Sequence, residues 1–199
     1  MAEQTFAGDE IPPGDQVIEV HVSDLSQIFN SFDPSPFLEK DLDDDAKEFI
    51  VGWAKELPGD GPLALLVFLD KPSVTAKMAA DLREAVHRFF ARQSELASQR
   101  LRLLFHVGRK SLLIGLVFLA VCLIAGDRVA RLWAGSGFAA IIRESFLIGG
   151  WVAMWRPLEV FLYDWWPIRN DRRLYDRLSR MAVRIACPDD PVKPGPGSA

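Results

Sequence analysis

An arginine, a glutamate and a tyrosine interrupt an otherwise apolar stretch of this chain. Arg156, Glu159 and Tyr163 follow one another at spacings of three and four residues, within a segment that runs from Ser145 to Tyr163. These spacings place all three on one helix face, where the guanidinium and the carboxylate can form an ion pair. A charge at the centre of a bilayer costs about 2.5–3.5 kcal/mol unless it finds a partner or a wet cavity. The set therefore predicts either a structural ion pair or an intramembrane polar site for a solute, a proton or a lipid headgroup.

Other residues that could support chemistry occur at unhelpful spacings. The aspartates near position 43 lack the pattern of a calcium loop, and we expect them to stabilise the start of a helix. The histidines are scattered, with no second ligand at a metal-binding spacing. We therefore predict no catalytic residue, no metal site and no cofactor. The residues weighed are Asp41, Asp43, Asp44, Asp45, His21, His87 and His106.

Two apolar segments surround this charged set. The first, Ser111 to Gly126, contains no charge and is about 24 Å long at about 1.5 Å per residue. The second runs from Ser145 to Tyr163, and a glycine-rich turn at Gly135–Gly137 separates them. We expect a hairpin of two transmembrane helices over residues 108–167. The alternative is a pair of helices buried in a soluble core, which the rest of the chain looks too small to cover.

Each apolar segment has a small or polar stripe at helical spacing. In membranes, small residues allow helices to approach closely and polar residues avoid lipid by facing a partner. We expect the two stripes to face each other, with Arg156, Glu159 and Tyr163 at the end of the second. The predicted packing residues are Ser111, Gly115, Cys122, Ser145 and Gly149.

The residues before the hairpin predict a small α+β domain and a long connecting helix, together residues 16–107. Alternating and continuous apolar runs favour strands at Gln16–Val22 and Leu63–Leu69, which the helical crossover between them makes parallel. A helix that begins near Val74 meets no proline before Pro157, so we expect it to continue into the first membrane helix. Residues 1–15 are expected to be disordered.

Charge is distributed unevenly along the chain. Residues 1–70 hold 3 Lys+Arg against 16 Asp+Glu, whereas residues 71–110 hold 9 against 3. Basic residues flank the hairpin on both sides, so the positive-inside rule predicts a multi-pass protein of the cytoplasmic (inner) membrane with both termini cytoplasmic. An anionic bilayer surface is thus an expected partner and nucleic acid is not, because the acidic domain repels phosphate.

Residues 168–186 are predicted to form an amphipathic basic helix, followed by a disordered tail over residues 187–199. Leu174, Leu178, Met181 and Ile185 share one face, which suits either the inner leaflet or docking onto the acidic domain. The residues expected at the lipid surface are Arg169, Arg172, Arg173, Arg177, Arg180 and Arg184.

The run Gly150-Trp-Val-Ala-Met-Trp-Arg-Pro157, followed by Tyr163-Asp-Trp-Trp-Pro167, resembles a segment of uncharacterised bacterial two-pass membrane proteins. That resemblance extends from the first strand to the basic tail. It implies an N-terminal cytoplasmic domain and a two-helix anchor, and it implies no activity.

Two functions remain open from the residues alone. The first is a membrane-anchored interaction, scaffold or regulatory protein that presents an acidic domain to an unknown cytoplasmic partner, with a homo-oligomer as a further possibility. The alternative is a membrane enzyme or small transport component that acts at Arg156, Glu159 and Tyr163.

Overall fold

A computed structural model describes residues 4–29, 41–70, 75–132 and 137–188. The chain divides into two compact units. The sheet domain contains the residues up to Ser94 together with those from Arg173 onward, and the helical unit contains Glu95 to Arg172. The predicted turn at Gly135–Gly137 lies outside the described residues except for Gly137.

The described residues form four strands and five α-helices. A short 3₁₀ helix at Leu25–Ile28 follows the second strand, and a π-helical turn at Val160–Asp164 joins the last two α-helices. In chain order the elements are β1 (Gln4–Gly8), β2 (Gln16–Val22), α1 (Asp44–Glu56), β3 (Leu63–Leu69), α2 (Ala76–Leu132), α3 (Phe138–Ala153), α4 (Trp155–Glu159), α5 (Trp165–Leu178) and β4 (Ala182–Pro188).

The four strands form one sheet in the order β1-β4-β3-β2. The predicted parallel pairing of β2 with β3 is confirmed, with Ile18 beside Leu65. Strand β4 adds to the other side of β3 in parallel, with Val183 beside Leu65, and β1 closes that edge antiparallel to β4. Two strands alone would be marginally stable, and the chain ends supply the two that were not predicted.

The predictions for both chain ends need correction. Residues 4–8 form β1, where disorder was expected, and the helix predicted over residues 168–186 ends at Leu178. Strand β4 includes Cys187 and Pro188, which were expected in the disordered tail. The helix was predicted too long because Met181 and Ile185 lie four residues apart, a spacing that places them on one face of a helix and equally on one face of a strand. In β4 the side chains of Val183, Ile185 and Cys187 are buried and belong to the core, whereas Ala182 and Arg184 between them are half-buried and only Ala186 departs from this alternation.

Three helices cover one face of the sheet. The core joins the buried face of β2, β3 and β4 to apolar side chains of α1, α2 and α5. Among its fully buried members are Ile18, Ile50, Leu65, Val67, Leu82, Val86, Phe90, Leu178, Val183 and Ile185. Burial of each such side chain contributes about 1.5–3 kcal/mol to folding, so α5 and β4 are integral to this domain.

Helix α1 begins where the sequence predicted. Asp43 caps it by accepting a hydrogen bond from the Asp45 backbone N–H at 3.0 Å, and Asp44 forms an ion pair with Lys47 at 3.5 Å. The aspartates therefore have the predicted role at a helix start. Helix α2 is continuous over 57 residues, as its proline-free sequence predicted.

Candidate functional site

Glycines bring α2 close to the helices that follow it within the helical unit. A Cβ added at Gly150 would lie 2.8 Å from Leu119 Cδ1 and 3.1 Å from Cys122 Cβ. A Cβ at Gly115 would lie 3.1 Å from Met154 Sδ and 3.3 Å from the Ala153 carbonyl oxygen. Such distances leave no room for a larger residue without displacing a neighbour, so these two glycines set the spacing of the helices.

Contacts at both ends of the helix pair show how α2 runs relative to the helices that follow it. Gly108 faces Val160, and Gly126 faces Phe146. Higher numbers in α2 therefore meet lower numbers in the following segment, so the helices are antiparallel. The contact residues of α2, namely Gly108, Gly115, Cys122 and Gly126, are all buried.

The predicted contact face of the second segment is wrong. Gly149 is exposed, and a Cβ added to it would meet nothing within 4 Å, whereas the adjacent Gly150 is buried. Ser145 is also exposed and donates its hydroxyl to the Ile141 carbonyl at 2.8 Å. That internal bond satisfies the hydroxyl, so Ser145 does not need a partner helix. The contact face is thus rotated by one residue, about 100°, from the one expected.

In the first segment, Gly115 and Cys122 lie at the helix contact, and Ser111 is half-buried beside it.

The proline in the second segment also has a local consequence. Pro157 has no N–H to donate to Ala153, and the helix is interrupted at Met154 between α3 and α4. The Ala153 carbonyl lies against Gly115, where only a glycine allows so close an approach.

Arg156 forms an ion pair with Glu159 and contacts a third residue that the sequence did not suggest. Its Nη1 lies 2.8 Å from Glu159 Oε2 and 3.6 Å from Asp164 Oδ2. The Arg156 side chain is 66% exposed, and Tyr163 is 70% exposed. The charges therefore form a compact group on the outer surface of the helix pair. Tyr163 has no described contact with this group.

The π-helical turn explains how Asp164 reaches Arg156. In a regular α-helix, eight residues would rotate Asp164 by about 80° away from Arg156. The π turn at Val160–Asp164 places one extra residue in a turn, which leaves an offset of about 20°. Hydropathy gives no signal for such a turn, so Asp164 could not be inferred from the sequence as a partner of Arg156.

Comparison of the chain with models of protein families, with curated proteins and with solved structures finds no match. The function must therefore be argued from the chain's own residues. The resemblance to two-pass membrane proteins stays a prediction.

A cleft of about 840 Å³ opens in the sheet domain at the edge where β2, β3 and β4 begin. Its arginines already have partners. Arg83 forms an ion pair with Asp9 at 2.7 Å, and Arg180 forms one with Asp176 at 2.7 Å. Ligands of open α/β sheets bind at the opposite edge, beyond the carboxyl ends of the strands. The Arg83–Asp9 pair connects the residue after β1 to α2, whereas the Arg180–Asp176 pair is local to the end of α5 and the turn that follows it.

Arg177 is the least exposed of these arginines. Its side chain is 19% exposed, and its Nε donates to the Gly61 carbonyl at 3.2 Å. A second guanidinium nitrogen, Nη2, donates to the same oxygen. This residue therefore joins α5 to the loop before β3.

The predicted lipid-surface role of the basic tail needs correction. Leu174 and Leu178 lie in the core of the sheet domain, which matches docking onto that domain and not the inner leaflet. Of the basic residues, Arg177 and Arg180 form the bonds described above, and Arg184 stacks over Phe6 at 4.2 Å. Arg169, Arg172 and Arg173 are exposed.

Two further groups have structural roles. The His87 Nε2 lies 2.7 Å from the Met181 carbonyl oxygen, so this nitrogen donates its proton and ties α2 to the start of β4. Burial raises the pKa of the Cys187 thiol, which therefore stays protonated at neutral pH. Among residues 4–29, 41–70, 75–132 and 137–188, no group of three or more His, Cys, Asp or Glu is arranged to hold a metal ion.

Proposed function

We propose that this chain is an integral membrane protein in which two helices cross the bilayer as an antiparallel hairpin and anchor an acidic interaction domain. One observation supports the anchor above all. Two helices are long and apolar enough to span a membrane by length and composition, Ala76–Leu132 with mean hydropathy 2.3 and Phe138–Leu178 with 1.3 over their most apolar windows. Only 17% and 6% of those windows are buried within the protein.

The exposed side chains are the type that lipid covers. Ile114 is 68% exposed, Ile124 60%, and Ile148 63%. Monomeric soluble proteins rarely expose a continuous apolar patch larger than a few hundred Å². Helices buried in a soluble core would have these residues covered by protein, so their exposure favours the bilayer. Other large apolar residues on the same surfaces are Leu113, Val117, Val121, Leu147, Trp151 and Val152.

The position of the charged group fits a membrane interface. Because Gly115 contacts Met154 and Gly108 contacts Val160, Arg156 lies level with the start of the apolar part of α2. Arg109 and Lys110 lie about one turn earlier in α2, near the level of Glu159. The Arg156 side chain extends along its helix toward Glu159 and Asp164, and so away from the apolar end of the pair. This is how an arginine near a helix end reaches the headgroups, which favours a structural ion pair over a transport site.

The net charge of the sheet domain supports the proposal that this domain binds other proteins. Its sequence, residues 1–94 and 173–199, holds 13 Lys+Arg and 21 Asp+Glu, a net charge of −8. The helical unit holds 10 Lys+Arg and 6 Asp+Glu, a net charge of +4. A basic unit favours the anionic inner leaflet, and an acidic domain favours protein partners with a basic surface. We propose that the domain lies on the cytoplasmic side.

Extraction with alkaline carbonate tests the anchor. Membranes that contain the full-length protein are washed at high pH and centrifuged, and the protein is expected in the pellet, because carbonate releases peripheral but not integral proteins. A matched variant with Ile114→Lys and Val117→Lys places two charges on the exposed face of α2, at a cost of about 2.5–3.5 kcal/mol each. That variant is expected in the supernatant. Release of the unmodified protein would overturn the proposal.

A further inference from the structure

The sheet of this domain has a second face that the helices do not cover. Side chains on that face alternate with those of the core, and the strand register arranges them in three rows. The rows are Val17-Ala64-Ala182, Glu19-Leu66-Arg184 and His21-Phe68-Ala186, each running from β2 through β3 to β4. We call these nine residues the open face. Strand β1 continues it beyond β4, with Gly8 beside Arg184 and Phe6 beside Ala186, and Arg184 lies over the Phe6 ring at 4.2 Å.

The open face is apolar at its centre, and its larger residues are incompletely covered, whereas Ala64 and Ala186 are buried. Leu66 and Phe68 of the central strand are half-buried, and Val17 is 37% exposed. The His21 ring stacks on Phe68, with 4.5 Å between ring centroids. Parallel strands are almost always covered on both faces, and the continuous apolar run of β3 is typical of a strand with two covered faces. The described part of the chain supplies only one of the two layers.

The two charges of the open face lie on either side of β3. Glu19 and Arg184 flank Leu66 in the middle row, on the strands to either side of β3. The face therefore carries one negative and one positive group and has no net charge apart from His21. A strongly basic or strongly acidic partner would repel one of the two. A second copy of the same face can satisfy both.

We propose that the open face is a dimer interface, in which two copies of the sheet domain pack face to face about a two-fold axis parallel to β3. This two-fold rotation keeps each row opposite the same row of the second copy. It places β2 of one copy opposite β4 of the other. Glu19 then faces Arg184 of the second copy, and the pair occurs twice. The proposal concerns the sheet domain alone and holds whether or not the helical unit crosses a bilayer.

The sizes of the side chains fit the same axis. Exchange of β2 with β4 places Val17 opposite Ala182 and His21 opposite Ala186, so that a larger residue meets a small one in each outer row. Leu66 lies near the axis and faces itself. Sheets that pack in this way stand about 10 Å apart, a gap that side chains of these sizes fill. A two-fold axis perpendicular to the strands would instead place Glu19 over Glu19.

Charge exchange at Glu19 and Arg184 tests this interface in the full-length protein in detergent or nanodiscs. Glu19→Arg and Arg184→Glu each place like charges opposite one another twice, and each is expected to raise the dissociation constant of the dimer by about tenfold or more. The double variant restores opposite charges and is expected to return to within about threefold of the unmodified protein. Glu48→Arg, the same charge change on the exposed surface of α1, is the control and should have no effect.

A cross-linking measurement fixes the register independently. Leu66→Cys near the axis should join two copies through a bifunctional maleimide about 10 Å long, whereas Glu48→Cys should not. Circular dichroism and thermal unfolding show whether each variant folds. A monomer at all accessible concentrations would overturn the proposal. So would a dimer whose dissociation constant ignores the single charge changes, or a double variant in which their effects add.

Discussion

Gly149 and Gly150 are neighbours in the chain but have opposite surroundings. Gly150 is buried against Leu119 and Cys122 of α2, whereas a side chain at Gly149 would extend into open space. Glycine in a helix lowers stability by about 1 kcal/mol relative to alanine. At Gly150, the close approach of the two helices can offset this cost. The pair therefore forms a matched internal control for the packing of the helical unit.

Gly150→Leu should weaken the helical unit, and Gly149→Leu should not. The leucine at position 150 must displace Leu119 or separate the helices, and overpacking of this kind costs about 1–3 kcal/mol. At position 149 the added side chain only joins other exposed apolar residues, so the change is expected to stay within about 1 kcal/mol. Unfolding of both variants in detergent, followed by circular dichroism, measures the difference. Equal losses in the two variants would contradict the observed contact face.

The ion pairs of Arg156 show what a local pattern can and cannot predict. The spacing of Arg156 and Glu159 predicted a pair on one helix face, and the 2.8 Å contact agrees. Asp164 could not be predicted, because its place beside Arg156 depends on an irregular turn. The partners of a charged side chain depend on irregular backbone turns, and a regular helical period does not predict such turns.

At the scale of elements, periodicity predicted what the chain makes locally. The parallel pair β2 and β3, helix α1 and the continuous helix α2 follow from apolar spacing, capping aspartates and the absence of proline. Strand β1 has only five residues, Gln4 to Gly8, and no apolar alternation that distinguishes it from a loop. Its pairing with β4 brings together residues more than 170 positions apart, which no local signal encodes.

Gly8, at the end of β1, is a single residue whose role could not be predicted from its local sequence. Gly8 has φ of +113°, a conformation that side chains disfavour, and an added Cβ would clash with the Val183 carbonyl. The next residue, Asp9, exchanges backbone and side-chain hydrogen bonds with Val183. The glycine is needed because another strand lies against it, which only the folded sheet reveals.

Ile185→Ala separates the two interpretations of the C-terminal segment. In the structure Ile185 is fully buried in β4, so removal of its side chain should lower the free energy of unfolding of the sheet domain by about 2–5 kcal/mol. A surface helix at a lipid leaflet would lose membrane affinity instead, with little change in stability. Arg172→Ala, an exposed basic residue, is the control, and it should leave unfolding unchanged within about 0.5 kcal/mol. Denaturant titration followed by tryptophan fluorescence measures both.

At the scale of the whole molecule, the sheet domain is less acidic than residues 1–70 alone suggest. Residues 1–70 alone hold 3 Lys+Arg against 16 Asp+Glu, but the sheet domain also contains basic residues of α2 and α5. Arg83, Arg177 and Arg180 are bonded to acidic or carbonyl groups there. They act within the fold of the domain, so they should not be counted as charges available to lipid. The positive-inside argument then depends on fewer residues, chiefly Arg109, Lys110 and those at 169–173.

Those remaining charges still predict which side of the membrane each part occupies. A membrane-impermeant maleimide applied to intact cells should label Ser136→Cys, which lies between α2 and α3 in the sequence, and should label Glu48→Cys only after permeabilisation. The native thiols contribute little background, because Cys122 and Cys187 are buried and the pKa of Cys187 is raised. Labelling of Glu48→Cys alone in intact cells would reverse the proposed orientation. Equal access to both cysteines from one side would mean that the antiparallel pair enters the bilayer without crossing it, because a crossing hairpin must place its turn opposite the domain at both chain ends.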